Sequence, residues 1–484
     1  MEFILGPILA AFIARLLGNK LTVAVAGLLS LTGIAILFVN YPVTSLINYQ
    51  ESWKTIQDYP WLDSTIHFTF GMDGLTWILL LLTNGLMPFI VLSMKSELPN
   101  RHQITMLALL MQAGLNGVFM SKDGLSFYIF WELALIPIYF ITLLYSESGK
   151  DNFKHTIRFF IYTFLGSLGM LFSLIYLNSL TESGSFAYKE LLKLNLTYQQ
   201  SIGVSIGFLL AFAVKIPLFP FHGWQANTYT FAPAAGSMLL SGIMLKMGLY
   251  GVLRWFLPLC GETLDVFQPY LITLSIIGII YGGIIAIRQN DMKRLVAYSS
   301  LSHVGLIAAG FFTLSSTGFS GGVLQMIVHG INVVGLFYSI EIIQQLSGRN
   351  LNNLGGLAKK YPVFAVIFFF FVIGTAAAPL TNGFPGEFML LKSVFSYHSI
   401  SGIFAGLTII LCAVYMLRMY QFSMLGVEKG NAEQKIELLQ WFPLAVLSIF
   451  VIVLGIFPQY FLDIVKPSLD QIMLEISNAK GVLS

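Results

Sequence analysis

The sequence predicts an all-α polytopic membrane protein of about fourteen transmembrane helices, and three observations predict it. Charged residues make up only 10% of the 484 positions, against roughly a quarter in an ordinary soluble domain. Hydrophobic residues make up 56%, in runs long and continuous enough for spans of about 20 residues rather than the alternating segments of a barrel. The basic residues that remain are distributed unevenly between alternate connecting segments, as the loops of a membrane protein are.

The runs fall, in order, at about 3–17, 21–40, 75–94, 104–121, 124–145, 156–180, 201–220, 231–257, 269–287, 294–314, 322–346, 363–398, 402–423 and 440–463. The first is short, but Glu2 stands where a signal peptide would carry Lys or Arg and no A-x-A site follows, so it reads as a span. The connection over 41–74 is aromatic and acidic (Glu51, Asp58, Asp63, Asp73) and reads as a folded cap on one face. No extramembrane domain is visible. Of the Lys and Arg residues, sixteen lie on odd-numbered loops, seven on even loops and the C-terminal tail, and Lys215, Lys246 and Lys392 inside spans. Lys and Arg favour cytoplasmic loops, so both termini are expected on the outer, periplasmic side of a cell inner membrane.

Several functions are excluded at once. A net charge of +3 supplies no concentrated basic surface for nucleic acid. Cys260 and Cys412 stand far apart in apolar surroundings, fit no zinc or haem spacing, and cannot by themselves ligate an iron–sulfur cluster. No GxxxxGK[ST] or GxGxxG is present, and Gly149-Lys150 is followed by Asp151 rather than Ser or Thr. No cofactor is expected in this chain.

The informative residues are charges in the apolar layer, each costing at least about 2.5–3.5 kcal/mol at mid-membrane and so marking a path for ions or protons. Glu132 lies in the middle of the fifth span, in FWELALIPIYFI, with nothing basic near it in sequence. Ionised, it needs a cationic partner from another helix; the purely structural reading is a neutral acid bonded to a backbone carbonyl. Lys215, in AVKIPLFPFHGW of the seventh span, precedes Pro217 and Pro220. Proline removes an N–H and clashes with the preceding turn, so this helix should break there. Its structural alternative is snorkelling to the cytoplasmic face. Lys246, in SGIMLKMGLYG of the eighth span, is too deep for that. His303 and His329 sit in the tenth and eleventh spans, beside Ser299, Ser300, Ser302 and Asn332. Histidine can pass a proton between its two ring nitrogens, and the ordinary alternative is a satisfied core histidine.

The twelfth span runs for nearly twice the length a bilayer needs. Its middle, GTAAAPLTNGFPGEFMLL, should be unwound from Pro379 to Gly386 between two half-helices, with Glu387 opening the second, where a carboxylate suits a helix N-terminus. Lys392 lies further out and is assigned no role. Broken spans seven and twelve are five apart, as are spans five and ten. An offset of five reverses direction, the pattern of inverted repeats around midplane ion sites. The expected organisation is 1–103, three helices and the outer loop; 104–257, a first five-helix repeat; 269–423, a second, inverted repeat; and 440–484, a last helix and tail. Glu132 and Lys215 should be in contact or bridged by one water.

Together, FWELALIPIYFI, AVKIPLFPFHGW, LLSGIMLKMGLYG, RQNDMKRLVAYSSLSHVG, QMIVHGINVVGLF and NGFPGEFMLL resemble the antiporter-like membrane subunits of respiratory complex I, the proton-translocating NADH–quinone oxidoreductase. The resemblance covers residues 70–460 in one order. It is nearest to the chain M, or subunit 4, type, because position 387 is glutamate where the sister types and the multisubunit cation/proton antiporters usually have lysine. The long lateral helix of the largest sister has no counterpart. The resemblance implies that Glu132 and Lys215 form a coupled ion pair, that Lys246 is the central relay lysine, that His303 and His329 continue the hydrophilic axis, and that Glu387 ends the half-channel beside the next subunit. It implies bacterial origin, a place among neighbouring antiporter-like and other membrane subunits and lipids, and NADH, FMN, iron–sulfur clusters and quinone in partner subunits. One departure is local: where the family commonly has W-L-P-D-A-H, this chain has Trp224-Gln225-Ala226-Asn227-Thr228-Tyr229. The remaining readings are a subunit of a cation/proton antiporter or membrane-bound hydrogenase, or a scaffold whose buried charges only fix helix packing.

Overall fold

A computed structural model describes residues 1–18, 21–48, 54–61, 66–94, 100–146, 151–429, 436 and 438–480. Glu51, Asp63, Gly149, Lys150 and the cations Lys20, Lys95 and Lys435 counted among the loops lie outside the described residues. Helices dominate, as the apolar runs dictate. Each of the fourteen runs has a helix in place, but among the described residues ten helices are long and apolar enough to cross a membrane by themselves, and an eleventh is reached only when the pair Gln440–Ile456 and Pro458–Ala479, bent by 72°, counts as one span. The count of fourteen therefore is not reached on length and composition. The shortfall lies in Glu2–Leu17, which is short, and in the two spans interrupted by breaks, Tyr198–Lys215 and Pro362–Thr375.

The cap at 41–74 contains the helix Val43–Asn48 and an antiparallel hairpin, Lys54–Trp61 paired with Ile66–Met72. This departs from a purely α description. Asp58, Tyr59 and Phe68, Thr69 alternate along the ladder, which suits a half-solvated two-stranded ribbon. The end of the chain departs too. The expected tail is the helix Pro458–Ala479, which bends away from the last span at Phe457–Pro458, where proline occupies the first helical position and cannot continue the preceding helix. It lies against the opening of Gly74–Leu92, where Ser468 Oγ accepts from the Leu75 amide at 3.3 Å.

Both interrupted spans break as their prolines require. Tyr198–Lys215 stops at Lys215, and the chain turns through Pro217 and Pro220 before Gln225–Phe231. Pro362–Thr375 stops at Thr375, and the second half-helix, Gly383–Tyr397, restarts four residues earlier than expected. Pro385 is tolerated there because the first turn of a helix has no intrahelical partner for its N–H groups. The two breaks are built alike. The bonds Ile216 N–Phe212 O, Leu218 N–Ala213 O and Phe221 N–Leu218 O recur at Ala376–Val372, Ala378–Ile373 and Thr381–Ala378.

A second correspondence joins the helices Gly124–Leu144 and Met292–Phe312. Each opens on an aspartate N-cap, Asp123 accepting from Ser126 N at 2.7 Å and Asp291 from Arg294 N at 3.0 Å. Each start is stitched to a later loop by two backbone bonds, Gly124–Phe186 and Tyr188–Lys122 in one, Met292–Arg349 and Leu351–Asn290 in the other.

Candidate functional site

The long helix Ala234–Leu259 carries Lys246 and is not regular. Leu239–Met244 and Val252–Phe256 are π-helical turns that bracket the lysine. Such turns free carbonyls from the ordinary ladder and concentrate at functional positions. Here the Ser241 carbonyl, five residues before the lysine, accepts from Lys246 Nζ at 2.7 Å. Lys246 also meets His329 Nδ1 at 2.8 Å, across from the helix Ser316–Ser347. Glycine makes that approach possible: a Cβ at Gly330 would stand 2.9 Å from the Gly242 carbonyl, and one at Gly242 would stand 2.8 Å from Val334. His329 Nε2 meets Ser300 Oγ at 3.0 Å, and Ser300 meets Ser241 Oγ at 3.1 Å. Lys246, His329, Ser300 and Ser241 thus close a ring of polar contacts inside the apolar layer.

A second cluster adjoins it. The rings of His329 and His303 are 6.3 Å apart between centroids. His303 Nδ1 lies 2.9 Å from Glu387 Oε1, a charge contact in which the ring N–H does not point along the line. Gln325 donates to the same oxygen at 3.3 Å. The other face of His303 presents Nε2 to Cys412 Sγ at 3.3 Å and to the Tyr415 hydroxyl at 3.5 Å. Cys412 is therefore not in apolar surroundings, as its sequence neighbours suggest; its thiol donates to the Thr375 carbonyl freed at the second break. Glu387 is the fifth residue of its half-helix, and its carboxylate is turned inward against His303 rather than capping the helix end.

Glu132 and Lys215 form the third group, and of the two arrangements expected, contact or a one-water bridge, the direct contact is not made. Lys215 Nζ has no hydrogen-bond partner and sits 5.2 Å above the ring of Trp131. Glu132 Oε1 is also without a partner. Each nonetheless feels the other's charge, and Ser167 stands beside the carboxylate. The lysine stem lies against the Lys246 helix, since a Cβ at Gly248 would come 3.2 Å from Lys215 Cβ. Lys215, Lys246, His303, His329 and Glu387 are each at most 4% exposed, which removes snorkelling as an account of Lys215. Glu132 is half-buried, and Lys392 is exposed.

Two kinds of buried charge escaped the sequence reading: Arg101, Lys122, Asp123 and Lys293 near helix starts, and the pair of Arg254 with Asp73. Arg254, counted there among loop cations, is 1% exposed on the Lys246 helix and pairs with Asp73. Asp73 is the N-cap of Gly74–Leu92, accepting from Thr76 N at 2.8 Å. Asp-Gly-Leu-Thr at the head of an apolar run was the available signal. The eighth run, 231–257, takes in Arg254, yet the residue was counted with the loops because a cation near the end of a run looks like a boundary. A third omission is the pair Asn332–Asn382, which exchange two amide bonds at 3.1 and 3.0 Å and tie the second break to the His329 helix. Among the described residues, no three His, Cys, Asp or Glu side chains converge as a metal-ligand set.

Known proteins share this architecture. The family model described as NADH:quinone oxidoreductase/Mrp antiporter, TM, matches residues 121–412. NADH-quinone oxidoreductase subunit M of Rickettsia conorii is 35% identical over 445 residues, covering 89% of each chain. NADH-ubiquinone oxidoreductase chain 4 of Marchantia polymorpha is 32% identical over 480 residues, covering 97% of this chain and 96% of its own. A chain of respiratory complex I from Thermus thermophilus with bound NADH is similar at 28% identity, with a TM-score of 0.88 over 99% of this chain and 100% of that one.

Proposed function

The chain belongs to the NADH:quinone oxidoreductase/Mrp antiporter transmembrane family, and we propose on that premise that its buried charges relay protons through the membrane. Its place is in NADH–quinone oxidoreductase, as an antiporter-like subunit of the membrane arm beside other membrane subunits. The redox cofactors sit in other subunits. We assign NADH, FMN, iron–sulfur clusters and quinone to those partners.

The observation that carries the relay is a run of ionisable groups on facing helices: Lys246–His329 and His303–Glu387 in contact, the histidines one ring's width apart, and Glu132 and Lys215 beside them. Lys246 and His329 together hold a proton between two nitrogens. His303 and Glu387 hold the next between a nitrogen and a carboxylate oxygen.

Moving one charge against 100 mV costs about 2.3 kcal/mol, and the driving force reaches this chain from its partners. A charge change in a neighbour draws Glu132 towards or away from Lys215. With its counter-charge close, Lys215 holds its proton. Deprived of it, the ammonium is a lone ion in a low-dielectric layer, and the proton moves on towards Lys246. The matched breaks support two inverted repeats, 104–257 and 269–423, flanked by 1–103 and 440–484. The charge asymmetry of the loops supports both termini on the periplasmic face of a bacterial inner membrane.

Purification from mild detergent tests this placement: the chain should be recovered with flavin- and iron–sulfur-bearing subunits. A cation/proton antiporter subunit would come with neither. A cysteine at Gln471 should react with an impermeant thiol reagent in intact cells and one at Gln289 only after permeabilisation; reversed labelling overturns the orientation.

A further inference from the structure

We propose that Tyr415 is a side inlet to the relay: its hydroxyl, held by Ser299, exchanges protons with His303 Nε2 on the face of the ring opposite Glu387. This rests on the relay reading and adds to it a branch from one side of the membrane.

His303 has both ring nitrogens engaged by different chemistry. Nδ1 faces a carboxylate, Glu387 Oε1 at 2.9 Å. Nε2 faces two groups on the helix Ser399–Met424, Cys412 Sγ at 3.3 Å and Tyr415 Oη at 3.5 Å. The cysteine is already committed, its thiol donating to the Thr375 carbonyl at 3.3 Å. It offers Nε2 only sulfur lone pairs, a weak acceptor. A phenol hydroxyl both donates and accepts, so Tyr415 is the group that can exchange a proton there.

Tyr415 is in turn supplied. Ser299 Oγ donates to its oxygen at 3.1 Å, which leaves the phenolic hydrogen free to point at Nε2. Ser299, Tyr415 and His303 are all buried, so the three form a short polar file inside an apolar wall. Both hydroxyls stand on the 289–291 side of His303. Ser299 is one turn nearer than His303 to the start of Met292–Phe312. Tyr415 is one turn from Arg418, a partly exposed residue whose guanidinium donates to the Gln289 carbonyl at 2.7 Å and to Asn290 Oδ1 at 2.8 Å. The file therefore points to the 289–291 loop, on the side that the charge asymmetry assigns to the cytoplasm.

The step balances. Tyr415 Oη gives its proton to His303 Nε2 and takes one from the Ser299 hydroxyl, which takes one from solvent on the loop side. The imidazolium so formed turns its Nδ1–H onto Glu387 Oε1, 2.9 Å away but off the present N–H direction, and gives up that proton. One O–H bond is broken and one made at each hydroxyl, and one proton crosses the ring. At 3.5 Å the Tyr415–His303 contact is long, so transfer needs an approach of about half an ångström. The titratable groups facing this file are Cys412 on the tyrosine's own helix, His303 on Met292–Phe312, His329 on Ser316–Ser347 and Glu387 on Gly383–Tyr397.

The test is NADH-driven proton uptake into inverted vesicles, normalised to assembled complex and measured across the external pH. Tyr415→Phe removes only the hydroxyl. Uptake should fall at least about threefold, well short of the roughly 100-fold loss of a carrier in series, and the deficit should deepen as external protons become scarce at higher pH. Ser299→Ala should give the same trend, smaller, and serves if Tyr415→Phe does not assemble. A deficit constant with pH would make Tyr415 a packing residue and overturn the inlet, as would wild-type uptake in both variants or failure of both to assemble. Glu387→Gln separates the two levels: if it abolishes uptake while Tyr415→Phe pumps normally, only the inlet fails, and if Glu387→Gln itself pumps normally, the relay reading fails.

Discussion

The two breaks share a backbone pattern bond for bond, yet they hold their chemistry in opposite ways. At the first, Lys215 ends its helix with an ammonium that makes no hydrogen bond, parked over Trp131, while Glu132 keeps one carboxylate oxygen unpaired. At the second, Asn382 is locked to Asn332 by two amide bonds and to the last span through Val451 O at 2.7 Å, and Glu387 meets His303 and Gln325 through Oε1 while its Oε2, like Glu132 Oε1, is without a partner. An unsatisfied buried charge is costly, so an arrangement that leaves two of them apart is one that responds when a neighbour's charge changes. A reciprocally bonded amide pair such as Asn332–Asn382 is rigid, and it anchors the backbone of the second break. The first break is built to be moved and the second to stay in place.

Substitutions should separate the two behaviours. The largest effect on transport with the least on stability is expected for Lys215→Met. Proton uptake should fall by roughly 100-fold, the low end for loss of a positioned proton-transfer group. The melting temperature of the detergent-solubilised complex should hold or rise, because a lone buried ammonium is replaced by an apolar chain. A marked drop in melting temperature would mean Lys215 is already paired in the assembled complex.

Asn382→Leu should do the reverse. It removes both amide bonds and leaves Asn332 unsatisfied, a loss of about 2 kcal/mol or more, read as lower thermal stability and less assembled complex. An unchanged melting temperature would contradict the rigid second break. Ser300→Ala removes the two neutral contacts that Ser300 makes in the ring, to His329 and Ser241, each worth about 1 kcal/mol, and should slow uptake less than either change at a charge. The smallest effect belongs to Lys392→Gln, on an exposed side chain outside both breaks, expected within about 0.5 kcal/mol of wild type and with uptake intact.

The sequence disclosed what local rules control. Apolar runs gave the helices, and prolines gave both breaks, because neither depends on distant contacts. The buried ionisable residues were legible because charge in an apolar run has few explanations. The pairings were not. Nothing in sequence joins Lys246 to His329, since that contact depends on Gly242 and Gly330 letting two helices meet. Cys412 was misread because its neighbours in sequence are apolar while its neighbours in space are His303, Tyr415 and a carbonyl freed by the second break. Arg254 was misread because a cation near the end of an apolar run looks like a boundary until Asp73 is seen opposite it. The π-helical turns around Lys246 and the final bent helix also reflect tertiary packing that periodicity does not report.

The central claim is that buried charge on both sides of this comparison carries protons rather than merely fixing helices. Glu132→Gln and Lys246→Ala test it most directly, through NADH-driven proton uptake into inverted vesicles normalised to assembled complex. Glu132→Gln keeps size and hydrogen bonding and removes only the charge. Both variants should assemble and both should lose most of their uptake, with NADH oxidation falling alongside if the two processes are tightly coupled. Wild-type uptake in both would show that the charges are structural and that the relay does not exist.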